Sequence, residues 1–412
     1  MRVAVVGADW AGLAAAVELT TQGANVTLIE AGRVAGGRAR GVEIAGHRLD
    51  NGQHILLGAY RDTLALMRRV GIDPEQVLER LPLQVRDNSG FRLTLPRLPA
   101  PLHVAAGLLL AQGVSLGEKI RTALWMQGVK FRRFRLSKDC TVAEWLDAAG
   151  QTRTLRRHLW EPLCLAALNT PAERASAQIF ANVLRDSLGS SVRTDTDLLL
   201  PRVNFAELLP EPTLAWLRQH GAAVRFSQRV RAVNAENARV LLDGEAFDAA
   251  ILAVAPQHLP ALWPAAAAPT KFEPIATAYL QYAPEQRLPF PLFNLIGKHG
   301  QWVVDRGQGL LACVLSGQGA WNELADDDLV IALSTELQAS GLTSKAPHWH
   351  RVIREHRATF SCTPNLERIP GDSGHPRVRL AGDHTWPDYP ATLEGAVRSG
   401  VAAARDLSAT TL

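Results

Sequence analysis

The chain has 412 residues, 47% of them hydrophobic, with 44 basic and 40 acidic side chains leaving a formal charge of +4. That apolar content excludes disorder, and 32 glycines with 24 prolines are too few for a low-complexity or collagen-like chain. So small a net charge spread over two or three domains argues against nucleic acid as a partner.

The N-terminal stretch Met1 to Leu19 is apolar enough to imitate a signal peptide, but Asp9 and Glu18 interrupt it and no cleavage pattern follows. Val3–Val6 reads instead as a buried strand. It turns at Gly7 into a helix that opens at Trp10-Ala11-Gly12 and ends near Gly23, and Asn25 to Glu30 is a second strand. Strand, glycine turn, helix and strand ending in an acid is the dinucleotide-binding βαβ pattern. Gly7, Ala8, Trp10, Ala11 and Gly12 then surround a helix N-terminus whose free N–H groups and dipole suit a pyrophosphate. Glu30 stands where a carboxylate accepts both hydroxyls of an adenosine ribose. Asp9 replaces the second glycine of the fingerprint. A side chain there crowds a diphosphate and a carboxylate repels it, so Asp9 either points away or weakens binding. A purely structural βαβ unit is the plain alternative.

Gly36-Gly37-Arg38 follows Glu30 at a spacing that resembles the second FAD signature of the amine oxidase and phytoene desaturase superfamily. Backbone without side chains can run along the cofactor there, and Arg38 offers a fork to phosphate oxygens. Near the other end, Arg377 to Leu380 alternates like a strand and delivers Ala381-Gly382-Asp383; a helix begins after Pro390 at Ala391-Thr392-Leu393. This resembles the closing motif of the same superfamily. The resemblance implies that Gly382 and Asp383 meet the ribityl chain. It also implies that Thr392 and Leu393 bring a helix N-terminus to the flavin's pyrimidine end, where the dipole stabilises negative charge. Ala222 to Val233 is expected to form a strand pair covering the adenine, with backbone contacts near Val230. Arg239 to Phe247 reads as a hairpin about Asp243-Gly244, and Ala249 to Val254 as a buried strand.

The expected fold is therefore α/β, an FAD-binding Rossmann-like domain of the glutathione reductase/amine oxidase type with an interleaved α+β substrate domain. The FAD-binding parts are expected at 1–85, 196–268 and 365–412, a mainly helical, membrane-facing part at 86–195, and a substrate-domain sheet at 269–364. No second glycine fingerprint opens a nicotinamide domain, so electrons are expected from another protein or a free reductant. Leu98 to Leu116 carries no formal charge, but Pro99, Pro101, His103, Gln112 and two glycines make it no membrane span. Leu102 to Leu116 is followed by Lys119, Arg121, Lys130, Arg132, Arg133, Arg135 and Lys138, with Trp125, Phe131 and Phe134 among them. That reads either as a monotopic contact with an anionic bilayer or as a helix packed on the core with a solvated basic face.

Further blocks resemble the hydroxysqualene dehydroxylase family over nearly the whole length: Asp50-Asn51-Gly52-Gln53-His54 with Ala59-Tyr60, Leu159-Trp160-Glu161-Pro162-Leu163, Ala167-Leu168-Asn169-Thr170-Pro171, Leu199-Leu200-Pro201-Arg202, and Gln301-Trp302-Val303-Val304-Asp305-Arg306-Gly307. The resemblance implies an enzyme that replaces the hydroxyl of hydroxysqualene by hydrogen at the expense of reduced FAD, in squalene and hopanoid biosynthesis. It implies contacts with polyprenyl synthases and a cytoplasmic protein peripheral on the inner face of the cell membrane. Hydroxide is a poor leaving group, so an acid is needed, and His54, Asp50 and Glu394 are the candidates. Their bland readings are a core histidine bonded to backbone, a turn cap, and an acid favoured by a helix dipole. Asp305 and Arg306 are adjacent in a strand-like run and should face opposite ways. His348, His350 and His356 lack an acid or cysteine at ligand spacing, so no metal is expected. Cys140, Cys164, Cys313 and Cys362 have no paired spacing and read as free thiols. The rivals are a carotenoid-type desaturase, an amine oxidase, or a non-catalytic flavin-fold partner of membrane polyprenyl synthases.

Overall fold

The computed structural model describes residues 1–411. A parallel sheet collects β1 (Arg2–Val6), β2 (Asn25–Ile29), β3 (Ala223–Arg225), β4 (Ala249–Leu252) and β10 (Val378–Leu380) in the order β3-β2-β1-β4-β10. The central strands are continuous apolar runs, such as Val3-Ala4-Val5 and Ala249-Ala250-Ile251, because both faces of the sheet are covered. Between β1 and β2 lies α1 (Trp10–Thr21), buried from Trp10 through Leu19. The last helix, α5 (Leu393–Thr411), lies so close to α1 that a Cβ on Gly400 would run into the Ala11 carbonyl. Glu18 of α1 pins this layer by reaching Arg69 of α2 (Arg61–Arg69) at 2.7 Å and Arg405 of α5 at 2.8 Å.

One expectation needs correction. Ala222 to Val233 is not a strand pair: Ala223–Arg225 pairs in parallel with β2, and Val233–Ala235 belongs to a separate antiparallel meander with Val240–Leu242 and Glu245–Phe247. The apolar start of the segment suits the sheet edge, whereas its polar continuation leaves the sheet and is held where the Arg231 and Ala232 N–H groups donate to Asp243. Val230 is buried against Val240, Leu242 and Phe247.

A second, antiparallel sheet holds β5 (Phe272–Gln281), β6 (Leu292–Asn294), β7 (Trp302–Asp305), β8 (Leu310–Ser316) and β9 (Trp349–Phe360) in the order β6-β7-β8-β5-β9. Alternation along β5 divides its faces. Ala276, Ala278 and Leu280 pack with the helix Asp326–Ala339, while Tyr279 joins the core beneath the cavity. Helices α3 (Leu102–Leu110) and α4 (Leu116–Phe131), with shorter ones at Val142–Ala148, Glu161–Leu168 and Ala177–Asp186, complete this half. Leu198–Pro201 bonds to Leu56–Leu57 and Leu78–Leu81 and ties the halves together.

Candidate active site

The C-terminal ends of the parallel strands open into a cavity whose far wall is the antiparallel sheet. It encloses about 2330 Å3 of unfilled space, open mouth included. One end is polar, with Asp9, Arg38, His54 and Asp383 on its wall. The other is apolar, lined by Leu163, Phe180, Leu184, Leu292, Trp302 and Val314.

At the polar end, Gly7 has φ +106°, and a Cβ there would strike the Ala253 carbonyl; a Cβ on Gly12 would strike that of Gly7. These two glycines let α1 start directly on the strand ends. Asp9 caps the helix, its Oδ1 accepting the Gly12 N–H at 2.9 Å. Glu30 accepts the Ala8 N–H at 2.7 Å and the Gly32 N–H at 2.6 Å. Gly36 donates its N–H to Ala8 O at 2.8 Å, and Gly37, at φ +58°, lies against the Asp9 Cβ. Trp10 donates its indole N–H to Ala39 O at 3.0 Å.

Arg38 does not present a free fork. It donates to Asp383 Oδ2 at 2.7 Å and to Ala358 O at 2.5 Å. Burial pushes Asp383 up, but Arg38 and His384 outweigh it and hold the carboxyl below the usual range. Asp383 Oδ1 and His384 Nε2 are buried without a hydrogen-bond partner. Gly382 N–H donates to Ser399 of α5 at 2.8 Å, and Thr392 caps the turn into α5 through the Gly395 N–H at 3.1 Å. Thr392 and Leu393 line the cavity.

The three acid candidates separate cleanly. His54 lines the cavity, with its ring 4.9 Å from that of Phe205. Its Nδ1 lies 2.7 Å from Gly52 O; a carbonyl only accepts, so Nδ1 carries the proton and Nε2 faces the cavity as an acceptor. Burial lowers its pKa, and Arg38 adds to this against the Gly52 carbonyl. Asp50 lies beneath the cavity wall at 1% exposure, its Oδ1 accepting the Phe205 N–H at 2.7 Å and its Oδ2 3.2 Å from Arg306. Glu394 is fully buried and turned away: it accepts the Asp62 N–H and the Thr63 N–H and hydroxyl, 2.7 to 3.1 Å away, and pairs with Arg398 at 2.9 Å. Glu394 is a cap for α2.

Sequence reasoning gave Arg306 no role, yet it joins Asp50 to Gln53 Oε1, which it reaches at 3.1 Å. As adjacency required, Asp305 faces the other way and accepts the Leu288 and Gly307 N–H groups. The wall also carries Tyr60, Glu355 and Tyr389, the last donating its hydroxyl to Asp186. Burial raises both Tyr60 and Tyr389, so each keeps its O–H. Nothing in the sequence marks Asp186 and Tyr389 as partners across 203 positions. Among the described residues no group of histidine, cysteine or acid side chains is arranged to hold a metal.

A glycine-lined βαβ start, a closing helix aimed at the same cavity and an apolar chamber beyond define a flavin-dependent oxidoreductase. The chain matches the flavin containing amine oxidoreductase family over residues 10–408. It is 31% identical to a hydroxysqualene dehydroxylase of Rhodopseudomonas palustris across 98% of this chain and 97% of that one. It is 28% identical to a hydroxysqualene dehydroxylase of Sinorhizobium fredii across the same shares. Wild-type putrescine oxidase bound to putrescine superposes with a TM-score of 0.71 at 18% identity, covering 99% of both chains. The chain belongs to the flavin containing amine oxidoreductase family and, within it, to the hydroxysqualene dehydroxylases. Its cofactor is FAD. The residues present fit that group: two glycines clear the start of α1, and the buried Asp383 Oδ1, whose nearest polar partner is His384 Nδ1 at 3.5 Å, is an acceptor for which a ribityl hydroxyl is the complementary donor.

Proposed function

We propose that this chain reduces hydroxysqualene to squalene, taking electrons from a separate donor. The observation that carries the reading is an apolar chamber continuous with the flavin end of the cavity, in a chain whose relatives are hydroxysqualene dehydroxylases. The α1 terminus and Gly36-Gly37 would take the diphosphate arm, Glu30 the adenosine ribose, Asp383 a ribityl hydroxyl, and Thr392-Leu393 the pyrimidine end. Bound and reduced, FAD supplies the two electrons and the hydrogen that replace the hydroxyl.

The protein's own share is to seat the chain, protonate the departing oxygen and exclude water. His54 is the acid in this reading. Its Nδ1–H is committed to Gly52 O, so the proton it gives must sit on Nε2 of the imidazolium. Burial disfavours that form, so donation is favoured towards acidic pH. The oxygen leaves as water, and the apolar wall around Phe180 and Trp302 keeps water from recapturing the electron-poor carbon.

The substrate lives in lipid, and α3 and α4 offer a matching face. Eight of twelve exposed large hydrophobic side chains among the described residues fall between Leu98 and Phe131, with Leu110 at 68%, Leu124 at 69% and Phe131 at 90% exposure. Seven lysines and arginines follow between 119 and 138, against the single acid Glu118. An apolar patch beside a basic segment suits a peripheral contact with the anionic inner face of the cell membrane, where polyprenyl synthases would hand over substrate. No described helix is long and apolar enough to cross a membrane.

Anaerobic incubation of the reduced, FAD-loaded enzyme with hydroxysqualene, followed by product analysis, tests the reading. Squalene supports it. Products with added double bonds would make the chain a desaturase, and unreacted substrate would remove hydroxysqualene as its substrate.

A further inference from the structure

Asp9 stands where the glycine fingerprint has its second glycine, and its surroundings bear on how the chain takes up FAD. Its backbone is extended, with φ −78° and ψ −177°, and its Oδ1 holds the Gly12 N–H at 2.9 Å. That N–H is one of the orphan donors at the start of α1, the groups a diphosphate uses. The helix end therefore carries a resident carboxyl at the place meant for an incoming anion.

The side chain is fixed there. Its Cβ packs against Gly37, where a Cβ on the glycine would clash, and the two loops are tied by the Gly36 N–H to Ala8 O bond. Charged groups from three other segments lie near the carboxyl, which also faces the cavity. Arg38 comes from the Gly-Gly-Arg loop, Asp383 and His384 follow β10, and Glu30 stands behind the Ala8 N–H. Arg38 is already paired with Asp383 at 2.7 Å, so little positive charge is left to offset an ionised Asp9 beside a diphosphate. Burial raises the carboxyl to about 6, against the Gly12 N–H and Arg38, which lower it; Asp383 adds to the rise and His384 opposes it.

We propose that Asp9 takes up a proton when FAD binds, so that a neutral carboxyl, and not a second anion, shares the α1 terminus with the diphosphate. A protonated Asp9 keeps one oxygen for the Gly12 N–H and gains an O–H to donate. Glycine at this position would offer neither. The inference rests on FAD being the cofactor and is independent of the substrate.

The test uses the full-length apoprotein titrated with FAD between pH 5 and 8.5, read by quenching of flavin fluorescence. Proton uptake is read from binding heats in buffers of different ionisation enthalpy. Wild type, Asp9→Asn and Asp9→Gly are compared, the first variant retaining a capping oxygen. Wild-type affinity is expected to weaken above about pH 6 by up to about tenfold per pH unit, with close to one proton taken up near pH 7. Asp9→Asn and Asp9→Gly are expected to bind with little pH dependence and at least tenfold more tightly than wild type at pH 8. A flat wild-type profile overturns the inference, as does an unchanged slope in Asp9→Asn, which puts the proton elsewhere. Binding by Asp9→Gly with none by wild type at any pH also overturns it, since the carboxylate would then block regardless of its proton. Failure of all three proteins to bind FAD at any pH overturns the cofactor assignment itself.

Discussion

Replacing Arg306 by methionine should destabilise the protein markedly while leaving its shape intact. Asp50 is 1% exposed, one oxygen holding the Phe205 N–H and the other relying on the guanidinium 3.2 Å away. Removing one partner of a buried ion pair costs about 3–5 kcal/mol, because the remaining charge is left uncompensated. Unfolding entropy near 2.1 cal/mol/K per residue amounts to about 0.9 kcal/mol/K for a chain of this length, so the Tm should fall by about 3–6 °C. The pH dependence has a definite sign. Burial already raises Asp50 despite Arg306, and losing Arg306 raises it further. The penalty is therefore largest at neutral pH and shrinks as pH falls and Asp50 is protonated in both states. Asp50→Asn placed in the Arg306→Met background should recover most of the loss, since a neutral amide still accepts the Phe205 N–H. Thermal melts of the three holoproteins at pH 5 and 7.5 decide it. A Tm within 1 °C of wild type for Arg306→Met, or no recovery in the double variant, would refute the reasoning.

Other outcomes follow from the same geometry. His54→Ala should lower kcat by about 10²–10⁴-fold with the flavin absorbance band retained; a change under threefold in stopped-flow turnover would move the acid to Tyr60 or Tyr389. In the wild type, kcat should decline as pH rises, starting below the ordinary histidine value because burial lowers the His54 pKa, and that decline should be missing from the residual activity of His54→Ala. Glu394→Gln should cost about 1–3 kcal/mol of stability through the α2 cap, with flavin binding retained and kcat within threefold; a hundredfold loss of kcat at full flavin occupancy would return Glu394 to the chemistry. In flotation assays the wild type should rise with phosphatidylglycerol vesicles and release as salt is added, whereas Leu110→Asp with Leu124→Asp should stay in the soluble fraction. Equal flotation of the two proteins would leave α3 and α4 as ordinary surface helices.

Much of the parallel sheet is legible in the sequence because its signals are local. Val3–Val6, Gly7, the helix to Gly23 and the strand to Glu30 each declare themselves within a few residues. Asp9 as a helix cap is also readable in principle, since aspartate is favoured there. Its surroundings are not, because Gly37 and Arg38 arrive from another loop. The short strand Ala223–Arg225 exists through pairing with β2, and three residues carry too little periodicity to announce which sheet they join. Long-range polar pairs are the least visible. Glu394 reads from the sequence as a candidate acid or as an acid favoured by a helix dipole; its partners Asp62 and Thr63 lie more than 300 residues away. Adjacency turns Arg306 away from Asp305 without saying what it meets, and only the fold brings it beneath the loop that carries His54.

The direction of electron flow is the centre of the account, and one single-turnover experiment addresses it. The FAD-loaded enzyme is reduced without oxygen, freed of excess reductant and mixed with hydroxysqualene while the visible flavin band is followed. Return of the oxidised band with one squalene formed per flavin is the predicted result. A band that stays bleached while hydroxysqualene remains intact would contradict the proposed reaction.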